Sequence, residues 1–405
     1  MLPSTFTWLA HDEAERRRIQ EAVELFREQG TLDDLGIGSV RDAFSTLLFP
    51  GTSVLHTRAR YFLFIPWIYR RLEQAGVSSR DVAARARHSE VRLINSLLAG
   101  GETRGVIGEQ ARAQLKQLPS AAYWSGLGTL GFRLFSGTQS QYQRSFDTHR
   151  ALGRNAPRVA DDEEPVARGF VNWQPALDGL AAQCPDFLDS TTFALSEEEG
   201  SFIRELVLQH AKGSLLAYLC ETRSSSPAGQ LWLHPRLGSA PAEIRRQVEL
   251  ARAFSALMHG ASVLYNLLLS EKRGFGDLAD ELSGQFTVWV TGLEAELTTF
   301  EWDEFWTIAA RGNPGIHTPT RTFVEAWTAR VLELGVEALS DLPARRLVER
   351  REQQTKHAQA RLGNPRRLET WTEPVGMRPL DYRWSVVREI VNDIARAGSG
   401  GRARG

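Results

Sequence analysis

Apolar residues return every three or four positions along most of this chain, the spacing that gathers them on one side of a helix. Ile19, Val23 and Phe26 make one such stripe; Val248, Ala251, Phe254, Met258, Ala261, Tyr265 and Leu268 make a longer one after Pro241. Ser196 followed by Glu199 is a capping box ahead of Phe202, Leu206 and Leu208. Trp384, Val387, Val391 and Ile394 mark a last helix, and the Gly/Arg tail from Gly398 is expected to be disordered. Period-two alternation is scarce, with Gln230 to Leu233 and Phe286 to Val290 as the short strand candidates. The pattern predicts a mainly α, multi-helix protein with few short strands. Its 405 residues exceed what one hydrophobic core usually serves, so two to three subdomains are expected.

Boundaries are expected near Asn155 to Pro165, a polar stretch with prolines, and near Arg311 to Thr320, where Gly312, Pro314, Gly315 and Pro319 fall close together. Together with charge they give an N-terminal helical segment (1–52), a basic helical subdomain (53–160), an acidic one (161–310), a basic C-terminal one (311–397) and the tail (398–405).

Charge changes the picture, because a net charge of -1 hides segregation. Residues 53–160 carry 16 basic and 6 acidic side chains, residues 161–305 carry 10 and 23, and residues 306–405 carry 17 and 11. Two basic blocks thus flank an acidic middle. Positive charge gathered on one surface attracts polyanions through phosphate contacts and counterion release. The other reading is that the blocks fold against one another, or against a partner subunit, and cancel.

Three sets of basic residues are candidates for phosphate contact. Arg58, Arg60, Arg70 and Arg71 bracket the aromatic run Tyr61, Phe62, Phe64, Trp67 and Tyr69. Arg85, His88 and Arg92 share about 60° of one helix face after Ser79. With helices expected at Ile107 to Leu118 and from Pro119, they are compatible with a helix-turn-helix or winged-helix module. The third set lies between Pro343 and Arg367, where Arg346, Arg350, Arg366 and Arg367 join Arg345, Arg351, Lys356 and Arg361. Each set also reads as a solvated helix face.

Signals for enzymes are weak. Gly126-Leu127-Gly128-Thr129-Leu130-Gly131 matches GxGxxG but lacks the preceding strand of a dinucleotide site, so close helix packing explains it better. His210-Ala211-Lys212 is a single HxK, where the phospholipase-type nucleases need two. No P-loop is present, and only 4 lysines occur. Glu294, Glu296, Glu301, Asp303 and Glu304 could gather around a divalent metal, or could be the wet side of a helix anchored by Trp302 and Trp306. No cofactor is expected.

Cys184 and Cys220 belong to no CxxC pair, Met1 to Glu15 has no basic stretch ahead of an apolar run, and Tyr61 to Tyr69 is too short to span a bilayer. A cytoplasmic location with no membrane partner is expected by elimination.

The stretch from Leu35-Gly36-Ile37-Gly38-Ser39 to Phe44, through Phe49-Pro50-Gly51-Thr52-Ser53 and Thr57-Arg58-Ala59-Arg60-Tyr61-Phe62 to Pro66-Trp67-Ile68-Tyr69, resembles the N-terminal signature of an uncharacterised prokaryotic family. Gly260-Ala261 with Leu264-Tyr265-Asn266, and Leu380-Asp381-Tyr382-Arg383-Trp384, extend the resemblance over nearly the whole chain. Members of that family often sit near helicases and nuclease-like proteins in phage-defence gene clusters, which implies a defence component but carries over no catalytic residue. On the residues alone, Gly36 and Gly38 allow a turn before a helix capped by Ser39, an anion seat or an ordinary capped turn. The expected function is a non-enzymatic, nucleic-acid-associated subunit of an anti-phage system, contacting DNA beside a helicase or nuclease partner. The alternatives are a protein-interaction scaffold that touches no nucleic acid, and an unrecognised metal-dependent nuclease.

Overall fold

The structure, a computed structural model, describes residues 33–148 and 171–398. The expected helix through Ile19, Val23 and Phe26, the boundary at Asn155 to Pro165 and the tail beyond Gly398 lie outside those residues. Helices carry the fold: α1 (Gly38–Leu48), α2 (Tyr61–Gln74), α3 (Val82–Ala99), α4 (Pro119–Thr129), α5 (Gln139–Arg144), α6 (Ala176–Gln183), α7 (Glu197–His210) and α8 (Leu215–Glu221) precede the centre. They are followed by α9 (Ala242–Arg273), α10 (Gly276–Glu296), α11 (Trp302–Gly312), α12 (Thr318–Leu334), α13 (Leu342–Lys356), α14 (Pro365–Glu369) and α15 (Trp384–Ala395). Among the described residues there is no strand, only an isolated bridge between Arg133 and Trp173.

Both strand candidates are corrected. Leu231–Leu233 is a 3-10 turn, and Phe286 to Val290 lies inside α10. Phe286 and Trp289, three apart, meet Trp327 of α12 on one side of that helix, while Val288 points to solvent. The apparent alternation was a helical stripe with one exposed valine in it.

The centre is α9, 32 residues long, which starts after Pro241 and stops at Gly274. At φ 73° Gly274 adopts the left-handed conformation of a helix C-cap, and the Phe275 amide donates to the Ser270 carbonyl at 2.9 Å. The turn sends α10 back antiparallel along it. By length and composition α9 could cross a membrane, but 83% of its apolar window is buried in the protein, as in the core helix of a globular fold. Around it, α1 packs on α11 with Phe44 and Phe305 stacked at 5.3 Å, and Trp327 of α12 donates to the Leu257 carbonyl. In α2 every residue from Tyr61 to Tyr69 is buried, enclosed by α3, α4 and α6. Burial of each such large side chain contributes roughly 1.5–3 kcal/mol. The buried apolar residues form one cluster that runs from Leu35 to Ile394.

The triple-helix reading of 79–129 loses its middle member. Between α3 and α4 there is only the 3-10 turn Arg112–Gln114, because Gly101, Gly105 and Gly108 adopt φ of 85°, 81° and 86°. Those angles lie outside the right-handed helix. Leu115 folds back over Gly108 instead of continuing a helix.

Candidate nucleic-acid interface

Four arginines of the first basic block are paired with carboxylates, whereas Arg80, Arg85, Arg104, Arg112 and Arg144 are exposed. The Arg60 guanidinium, with its side chain 9% exposed, meets Glu199 of α7 at 2.7 Å and donates to the Thr192 carbonyl at 2.7 Å. Arg58 bonds Asp393 of α15 through Nε and Nη2, and lies 3.7 Å from Glu102. Burial raises the pKa of the Asp393 carboxyl, and the same arginine offsets that only in part. Arg70 holds Asp178 of α6 through two bonds and Glu73 on its own helix at 2.6 Å. Arg71 lies over the Phe187 ring and donates to the Pro185 carbonyl. On α3, Arg92 pairs with Asp189. Arg58, Arg60, Arg70 and Arg71 therefore do not present one shared solvent-facing arginine surface. Carboxylates of the acidic middle take Arg60, Arg70 and Arg92, and Asp393 beyond it takes Arg58.

Of the first-block candidates, Arg85 and His88 remain exposed, with no carboxylate partner among the described residues. Beside them Arg87 donates to the Ala113 carbonyl at 2.8 Å. All rings of the Tyr61 to Tyr69 run are inside, so none offers a stacking face.

The second basic block divides into inner and outer sides. Asp341 caps α13 by accepting from the Ala344 amide at 2.8 Å, and Pro343 opens it. Ala344, Val348, Arg351 and Glu352 face inward. Arg351 donates to the Leu35 and Gly36 carbonyls at 2.7 and 2.8 Å, and so fastens the start of the N-terminal motif. Glu352 accepts from the Tyr265 hydroxyl at 2.7 Å and from the Arg361 and Leu362 amides at 2.7 and 2.9 Å. Lys356 and Arg361 pair with buried Asp34 at 3.6 and 3.1 Å. On the flanks Arg345 is held by Glu271, and Glu349 by Lys272.

What is left outside is Arg346 and Arg350, one turn apart on α13, and Arg366 and Arg367 on α14. The chain reverses after Lys356 through His357, at φ 50°, and Gly363 comes to rest against Gln353 of α13. Asn364 caps α14 by accepting from the Arg366 amide at 3.1 Å. One arginine pair thus lies on α13 and the other on α14, after the reversal. None of the four has a carboxylate partner among the described residues; Glu369 is the exposed acid at the end of α14.

Sequence reasoning did not find the inward anchors. Asp34 lies 327 residues from Arg361, Asp393 335 from Arg58 and Glu352 87 from Tyr265, so no local spacing links these pairs. The glycines of GxGxxG serve packing: Gly126 abuts the Gly51 carbonyl and His56, and Gly131 abuts His210. Of the carboxylates near Trp302, Glu296 is taken by Arg252 at 2.6 Å and Glu304 by Arg246. Among the described residues no group of three or more His, Cys, Asp or Glu is placed to share a metal ion.

These features define an all-α protein in which part of the segregated charge is paired internally and two arginine pairs, on α13 and α14, are exposed. The chain belongs to the Family of unknown function (DUF6361), which it matches over residues 3–398, as the likeness of the Leu35 to Tyr69 motif to an uncharacterised family implies. Comparison with curated proteins and with solved structures gives no match.

Proposed function

We propose that this protein is a non-enzymatic, nucleic-acid-associated subunit whose α13–α14 ridge lies along a duplex phosphate backbone. The supporting observation is that Arg346, Arg350, Arg366 and Arg367 are exposed and free of carboxylate partners among the described residues, while neighbouring arginines are consumed inside. Guanidinium groups suit phosphate oxygens in geometry and charge. The large apolar side chains exposed on the described surface are valines and leucines, with no aromatic ring among them. Single strands gain much of their affinity from stacking on such rings, so duplex is the better ligand. The family resemblance, which puts relatives beside helicases and nuclease-like proteins, supports a subunit that holds DNA for a partner enzyme in phage defence.

Four phosphate contacts predict a slope of about -3.6 for log affinity against log salt, a loss on the order of 10²-fold between about 50 and 200 mM. Fluorescence anisotropy with labelled duplex checks it. Changing Arg346→Ala with Arg350→Ala should flatten the slope by about 2. A slope near zero, or one that this pair leaves unchanged, would sink the reading; Arg85→Ala with His88→Ala separates a contribution from α3.

A further inference from the structure

A second surface, on the opposite sign of charge, belongs to the α9–α10 hairpin. Between the outer sides of these helices and the 3-10 turn Leu231–Leu233 runs an open groove of about 400 Å³. Trp232, Ala256, Trp289, Leu293 and Pro379 line it. Trp289 is fixed from below: its Nε1 donates to the Ala256 carbonyl at 2.8 Å, and its ring rests on Gly260, where any Cβ would collide. The cation at one end, Arg252, is matched by Glu296 at 2.6 Å, and burial lowers the pKa of His259 at the other, favouring the neutral imidazole.

The groove opens onto an unpartnered side of α10. Val288 is 77% exposed, and Leu233 across the groove 64%. Gly284 and Gly292, one turn to either side of Val288, have open space where a side chain would stand, so a partner backbone can approach closely. Asp277, Asp280 and Glu281 before this stretch and Glu294 after it are exposed, with no cationic partner among the described residues. From Asp277 to Glu296 the surface extends roughly 28 Å at helical rise, too long for a small molecule. Carboxylates at both ends repel phosphates and anionic lipids.

We propose that this face docks a basic amphipathic segment of a partner protein, its apolar side chains in the groove and its Lys or Arg residues against the acidic ends. Charge complementarity selects this occupant, and the proposal does not depend on the arginine ridge. Two labelled amphipathic helical peptides of identical apolar pattern, one flanked by Lys and Arg and one by Glu, are titrated against the full chain by anisotropy. The basic peptide should bind and the acidic one at least about tenfold more weakly. Gly292→Met, which fills the groove, and Val288→Arg should each weaken the basic peptide by about tenfold or more with the thermal midpoint unchanged. Both sites are exposed, so folding is not at stake. Equal binding of the two peptides, no binding of the basic one, or indifference to Gly292→Met overturns the proposal. So does self-association in light scattering that Val288→Arg abolishes, since the face would then join two copies of this chain.

Discussion

His56 shows how a single ring registers the interior. It is stacked on Tyr123 at 4.0 Å, with Nε2 on the Ala122 carbonyl, and burial lowers its pKa to about 3. An unfolded histidine titrates near about 6.5, so between the two values the unfolded chain takes up a proton that the folded one refuses. Its contribution to stability therefore falls as pH drops through 6.5. Glu90 works the other way: buried against the Ser120 amide and hydroxyl, its carboxyl is raised to about 7, which favours the fold as pH falls. The observable is thus a difference between variants. From pH 7 to 5, wild type should lose about 2 kcal/mol relative to His56→Gln, by urea denaturation at each pH. Parallel stability curves for the two proteins would contradict it.

At the level of elements, the α3–α4 connection carries the sharpest prediction. Gly108 and Gly213 both adopt left-handed φ, 86° and 81°, but only at Gly108 does a side chain, Leu115, occupy the Cβ position. Alanine at Gly213 should cost about 1–2 kcal/mol from backbone strain alone, and alanine at Gly108 measurably more. Equal shifts in the thermal midpoint would refute the role given to Leu115. The same connection marks what the sequence made legible. The α9 stripe, the Ser196–Glu199 box and the Trp384 helix stand as read, because each is a local signal. The helix expected at Ile107 to Leu118 failed because apolar spacing was weighed without the glycines' handedness. Phe286 to Val290 failed because a five-residue window is shorter than the α10 stripe that contains it. At the candidate site, the second block was legible as a basic, solvated face but not in its sorting: what separates the four outer arginines from Arg351 and Arg361 is Asp34 and the Leu35 and Gly36 carbonyls.

For the whole molecule, the charge blocks act as a clasp. Arg60 and Glu199 are both buried, and removing one charge leaves the other uncompensated, at a cost of about 3–5 kcal/mol. Arg60→Met should therefore destabilise strongly, whereas Arg60→Met combined with Glu199→Gln, which keeps an acceptor for the Ser196 amide, should recover part of the loss. Additive losses in urea midpoints would show that the pair is not coupled.

Arg58 and Asp393 stand 335 positions apart. During synthesis Arg58 emerges long before Asp393, so that guanidinium stays without its carboxylate until nearly the whole chain has been made. The Arg58–Asp393 clasp can close only after the helix that carries Asp393 has left the ribosome, so this contact is a late one in folding.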